Sequence, residues 1–123
     1  MPESTRIIDI YKHLKKAGFS VYFPTQKQGE CKSPYVVVRE SSTNPYQDFS
    51  STITAYGVLC YVPKAKYSQL RVYTDQVKEA MKGLKPMIMP LNTETAPFFD
   101  DTVDAHMIEV QYRNFRYTPI RRN

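Results

Sequence analysis

Apolar side chains recur at helical spacing early in the chain: in "STRIIDIYKHLKKAG", Ile7, Ile10, Tyr11, Leu14 and Ala17 share one face. Ser4 or Thr5 is placed to cap the start, Lys15 and Lys16 sit where the helix dipole favours cations, and Gly18 offers a left-handed stop. An amphipathic helix of about four turns is predicted. The pattern then changes to strands. "FSVYFP" reads as a short strand closed by Pro24, "TQKQGECKS" as a polar loop, and "PYVVVRE" as a strand buried on both faces. "SSTNPYQDFSS" combines Asn-Pro, Ser and Asp and reads as a long turn. "STITAYGVLCYVP" follows as about ten residues of β-branched and aromatic character stopped by Pro63. The two long strands are expected to pair as an antiparallel hairpin with a wide, mobile tip.

Helical spacing returns in "YSQLRVYTDQVKEAMKGL", where Leu70, Tyr73, Val77, Ala80 or Met81, and Leu84 fall on one face. Ser68 is the expected cap, with Tyr67 and Val72 as a hydrophobic staple across it. "KPMIMP" is a short apolar run between prolines, and "LNTETAPFFDD" reads as an irregular acidic segment. In "DAHMIEVQYRNFRY" the even positions His106, Ile108, Val110 and Tyr112 alternate with Met107, Glu109, Gln111 and Arg113 and are assigned to the core. Past Asn114 the phase shifts to Phe115 and Tyr117, which predicts a bulge or the point where the strand leaves the sheet. The order α-β-β-β-α-β-β makes an α+β domain, two helices on a mostly antiparallel sheet, over residues 1–123.

The length of 123 residues, 41% of them apolar, suffices for one core and not for two ordinary domains. The balance of 17 basic against 12 acidic side chains, +5, favours an acidic partner. No run approaches the roughly 18 to 20 apolar residues of a membrane span, so a soluble protein kept in the cytosol and without membrane contact is expected. Cys31 and Cys60, with no secretory signal, are expected to be reduced and partly buried.

Catalytic groups are sparse. His13 lies among lysines on the first helix and is expected to face solvent, while His106 reads as a core or edge histidine. Cys31, Cys60, His13 and His106 lack the close pairs of a zinc module. Glu94, Asp100, Asp101 and Asp104 form the acidic cluster, in a loop without the glycine of a calcium turn, and read as a solvated loop or one side of a charged contact. No phosphate-cradling or nucleophile-elbow motif occurs. No catalytic residue, cofactor or metal is therefore expected, and the chain reads as a non-enzyme.

The closing "YRNFRY" mixes aromatics with arginines, but it lacks the glycines that leave rings bare for base stacking in RNA-recognition strands. Glu109 on the same strand face as Arg113 would repel phosphate. Ten tyrosines and no tryptophan are more than one small core hides with satisfied hydroxyls. Tyr and Arg are enriched at interfaces, which points to a self-associating surface on the hairpin and last strand.

With this order of elements, "CYVPKAKYSQLRVYTDQVKEAMKGL" followed by "DAHMIEVQYRNFRY" resembles the tail-terminator, or tail-completion, minor tail proteins of tailed bacteriophages and defective prophages. The likeness rests on the strand ending at Val62-Pro63, the helix bearing Tyr67, Leu70 and Val77, and the closing strand from Ile108 to Arg116. It extends over most of the chain. The resemblance implies a structural virion protein, assembled in the host bacterial cytoplasm and located at the head-tail junction. It implies a ring, usually six-fold, that caps the tail tube, contacts tube protein and head or neck connector proteins, and passes DNA without reading its sequence. Self-contact is assigned to Tyr35 to Val38, including Val37, and to Thr52 to Tyr61, including Tyr56 and Tyr61, in a heterologous, ring-closing geometry. Tube contact is assigned to Tyr46 to Phe49 and to Arg113, Phe115, Arg116, Tyr117, Arg121 and Arg122. The alternatives are a head-tail connector and a basic nucleic-acid-binding module using "YRNFRYTPIRR" with Lys12, Lys15 and Lys16.

Overall fold

The computed structural model describes residues 5–26, 29–45, 51–85 and 87–117, with the side chains of 5–6, 42–45, 51–53 and 115–117 outside the description. Helix α1 runs Thr5–Lys16 and buries Ile10 and Leu14 completely, with Ile7 and Tyr11 packed beside them. Gly18, at φ +103°, ends it. The amides of Gly18 and Phe19 reach back to Lys15 O and Leu14 O, both at 3.1 Å, which is the Schellman closure that a left-handed residue permits.

The strands are β1 Val21–Tyr22, β2 Tyr35–Pro45, β3 Ser51–Pro63, β4 Ile88–Glu94, β5 Phe98–Asp100 and β6 Ala105–Tyr117. They form one six-stranded sheet ordered β1-β2-β3-β6-β4, with β5 also on the outer side of β6. Only the short β1–β2 pair is parallel. The α+β class and the α-β-β-β-α opening agree with the periodicity, but three strands follow the second helix where two are predicted. "LNTETAPFFDD" holds the end of β4 and all of β5, because the edge of β6 offers ladder partners at Val110 and at Ala105 to Met107.

The turn expected at "SSTNPYQDFSS" is in part strand: β2 continues to Pro45, which pairs Thr52. Polar residues continue the ladder because β3 runs beside them, itself held on its other side by β6. The bulge is also elsewhere. β3 and β6 keep one register from Ser51↔Tyr117 to Pro63↔Ala105, whereas shifts occur in β2 between Glu40 and Ser42 and in β4 between Pro90 and Glu94.

After Pro63 the chain passes through a 3-10 segment, Lys64–Gln69, into helix α2, Leu70–Met81. The expected Ser68 cap is not made. The Leu70 amide bonds Tyr67 O, a 3-10 contact that uses the donor a cap would have served, and Tyr67 and Val72 are both exposed. Buried Leu70, Thr74, Val77 and Met81 face the sheet, and Thr74 Oγ1 donates to Leu70 O at 2.8 Å. His13 points inward, with Nε2 2.7 Å from Ala80 O, and so ties α1 to α2.

Alternation divides the sheet into two faces. Even-numbered residues of β3 and β6 lie under the helices, where Tyr56, Val58, Cys60, Val62 and Ile108 form the main core with Val36 and Val38. Odd-numbered residues at one end of the opposite face build a second core, Tyr35, Leu59, Tyr61, Ala105 and Met107, closed by Cys31. The Cys31 amide bonds Val103 O at 2.8 Å, which fixes this cover. The second core gives Tyr35 and Tyr61 an interior that one core could not. Tyr35, Tyr56 and Tyr61 are all buried, Tyr35 stacking on Tyr61 at 4.8 Å, so these rings are interior and offer no surface for self-contact. Burial also raises the hydroxyls of Tyr35 and Tyr61 above their ordinary range.

Both cysteines are free and buried, and burial pushes the Cys60 thiol up to about 12, against a smaller lowering by its contact with Thr74. The expected outcome with a thiol reagent at neutral pH is negligible labelling of the native chain and two labelled sites after unfolding. Stoichiometric labelling at a rate faster than unfolding would contradict this packing.

Candidate interaction surface

Beyond the second core, the helix-free face carries Val37, Arg39, Ala55, Gly57, Glu109, Gln111 and Arg113 as neighbours by register and alternation. Its centre is an ion pair that crosses the middle strand. Arg39 Nε and Nη2 donate to Glu109 at 3.0 to 3.2 Å, spanning β2 to β6 over β3. The Arg39 side chain is 48% exposed and that of Glu109 9%, so a guanidinium open to solvent lies over a nearly buried carboxylate. Passage across β3 requires Gly57: a Cβ there would stand 2.1 Å from Glu109 Oε2. Thr95 holds Glu109 from the far side, accepting its amide at Oγ1, 3.0 Å, and donating its own amide to Glu109 O at 2.9 Å.

Around this pair Val37, Ala55, Gln111 and Arg113 are half-buried. The adjoining edge is open as well: β1 pairs only Val36 and Val37, so among the described residues 38–45 of β2 have a strand neighbour on one side alone. Of the predicted contact residues, Val37 and Arg113 lie on this face, while Tyr35, Tyr56 and Tyr61 are core. Tyr46 and Phe49 lie outside the described residues, as do Arg121 and Arg122. Phe115, Arg116 and Tyr117 continue β6 opposite Ile53, Thr52 and Ser51, but their side chains are outside the description.

The acidic cluster is divided. Glu94 bonds Arg71 and Lys78 on α2, whereas Asp100 Oδ1 accepts from the amide and hydroxyl of Thr102, at 3.0 and 2.6 Å, and shapes a turn. Among the described residues no group of three or more His, Cys, Asp or Glu side chains could hold a metal ion. His106 is set between the rings of Tyr67 and Phe99, at 4.7 and 5.1 Å.

Burial raises the Glu94 carboxyl, but the hydrogen bonds from Arg71 and Lys78 outweigh it and hold the group below its ordinary 4.5. A lowered folded value stabilises the fold fully above the unfolded value and is lost as pH falls through the folded one. All three side chains are substantially exposed, which limits the gain to roughly 0.5 to 1 kcal/mol. Glu94→Gln is expected to cost that much in chemical denaturation at neutral pH, with the difference closing in acid below 4.5. An equal cost at both pH values would remove the ion pairs as its cause.

Sequence reasoning missed the ion pair because its partners are 70 residues apart. One signal was present: Gly57 interrupts a run of β-branched and aromatic strand residues, a position where glycine marks a close approach. No family model and no curated protein matches the chain.

Proposed function

We propose that the chain is a non-enzymatic structural subunit of virion assembly, closing into a ring that caps a tail tube at the head-tail junction in the manner of the tail terminators it resembles. The observation that carries this reading is the helix-free sheet face around Val37 and Arg113 with the adjoining edge of β2, which is one-sided among the described residues. A sheet with an open face and an open edge gains by covering them, and copies of the same chain supply cover of matching shape. Arg39, half exposed and held flat by Glu109, is suited to a polar contact at the centre of such an interface. A heterologous contact between unlike patches closes a ring when its rotation allows.

Light scattering after gel filtration, over a concentration series, tests the reading together with electron microscopy of the chain added to isolated tail tubes. A discrete closed oligomer of about six copies, free or on tube ends, is expected. Gln111→Lys combined with Arg113→Glu should abolish it while leaving the unfolding transition in place. A chain that stays monomeric both alone and in the presence of tubes would end the reading.

A further inference from the structure

The ladder between β4 and β6 loses register midway. Pro90 pairs Tyr112 and Glu94 pairs Val110, so four steps along β4 span two along β6, and Leu91 to Thr93 leave the ladder with Asn92 at φ +59°. A cleft opens there between α2 and β4. Its narrow part, about 160 Å³, has Met81, Pro90 and Tyr112 for apolar walls and Lys78, Lys82 and Lys85 at its rim, while a wider part of about 340 Å³ continues past Asn92 to Glu94. A cavity of about 150 Å³ accommodates one benzene ring, so the narrow part has the size of a single six-membered ring. Two polar groups in it have no use in the fold. Tyr112 is 4% exposed, and its hydroxyl makes no hydrogen bond among the described residues. Every enclosed side-chain polar atom there is bonded, so this hydroxyl is one that reaches the cleft. Lys78 bonds Glu94 and Lys82 bonds Glu79, each at 3.0 Å, whereas Lys85 has no ion pair among the described residues.

We infer that this cleft binds a small aromatic monocarboxylate, its ring among the apolar walls and its carboxylate accepting hydrogen bonds from the Tyr112 hydroxyl and the Lys85 ammonium. An apolar enclosure with a few placed polar groups is the usual construction of a small-molecule site. Charge sets the class of ligand. Glu94 is balanced by Arg71 and Lys78, and Lys82 by Glu79, so Lys85 is the cation left over at the rim, and it matches one negative charge. A dianion such as a phosphate ester would keep one charge unmatched in a cleft with a glutamate at its far end. The cleft lies beneath α2, on the other face of the sheet from Val37 and Arg113, so the inference does not rest on the ring and can hold without it.

Benzoate, added to the full chain at neutral pH and followed by amide shifts in NMR, should bind saturably at one site with a dissociation constant of roughly a millimolar. The shifts should gather at residues 78–85, 90–94 and 110–112. Benzamide, neutral and of the same shape, should bind about tenfold more weakly, and Lys85→Gln should remove most of that difference. Tyr112→Phe should weaken benzoate about fivefold and leave the unfolding transition in place, because the hydroxyl it removes has no partner in the fold. Absence of saturable shifts up to about 50 mM benzoate would overturn the site. Equal affinity for benzoate and benzamide, or benzoate binding indifferent to both Lys85→Gln and Tyr112→Phe, would overturn the anion and turn the cleft into a seat for an apolar side chain of a partner.

Discussion

Gly57→Ala lowers the stability of the fold by about 3 kcal/mol, more than twice the ordinary cost of a point substitution. The new methyl group falls within 2.1 Å of Glu109 Oε2 and close to Arg39 Nε, so the carboxylate must withdraw from its partner. The loss is then that of a nearly buried Glu109 left without its cation, moderated because Arg39 remains hydrated. Urea unfolding measures the cost, and the same substitution in a Glu109→Gln background supplies the control. The two changes should couple by more than about 1 kcal/mol, since a shorter-range polar group tolerates the displacement. Additive costs would show that Gly57 serves only the strand backbone, and the ion pair would lose its place as the reason for glycine.

Tyr56→Ala is the second large effect, about 4 kcal/mol, from an aromatic side chain that is 1% exposed under both helices. Against a total of roughly 5 to 15 kcal/mol for a small domain, this removes much of the folded state's margin. Tyr56→Phe keeps the ring and should cost less, about 1 to 2 kcal/mol, the loss of a buried hydroxyl that Asn114 Nδ2 reaches at 3.5 Å. The measurement is the denaturant midpoint of each variant at fixed slope, made on the isolated protein. If Tyr56→Ala left that midpoint unchanged and altered only self-association, the ring would belong to an interface and the assignment to the core would be wrong.

The helices were legible because a 3.6-residue period is a local property: Ile7, Ile10, Tyr11 and Leu14, then Leu70, Val77 and Met81, mark their buried faces without reference to the rest of the chain. Sheet boundaries depend on partners far away. Ser41 to Pro45 look like a turn by composition and are strand because Thr52 to Tyr56 of β3 run alongside. Phe98 to Asp100 look irregular and pair with the start of β6. Counting tyrosines against one core pointed to an exposed excess, whereas the return of Cys31 and Val103 over the far side of the sheet makes a second interior for Tyr35 and Tyr61. The candidate surface was half legible for the same reason. Val37 and Arg113 were singled out by strand position, but their neighbours Arg39 and Glu109 come together only through the register of three strands.

The place of β6 between β3 and β4 also bears on how the polypeptide is made. Its thirteen paired positions with β3 join residues 51–63 to residues 105–117, and β4 and β5, which precede it in the chain, pair with no other strand among the described residues. A nascent chain leaving the ribosome therefore carries β3 with one side unpaired until β6 emerges, and the sheet closes by insertion of that late strand. The binding face is thus finished only when this last strand of the sheet has joined β3. A shortened polypeptide lacking β6 would present neither the Arg39–Glu109 crossing nor Arg113, so incomplete subunits would be excluded from any assembly built on that face.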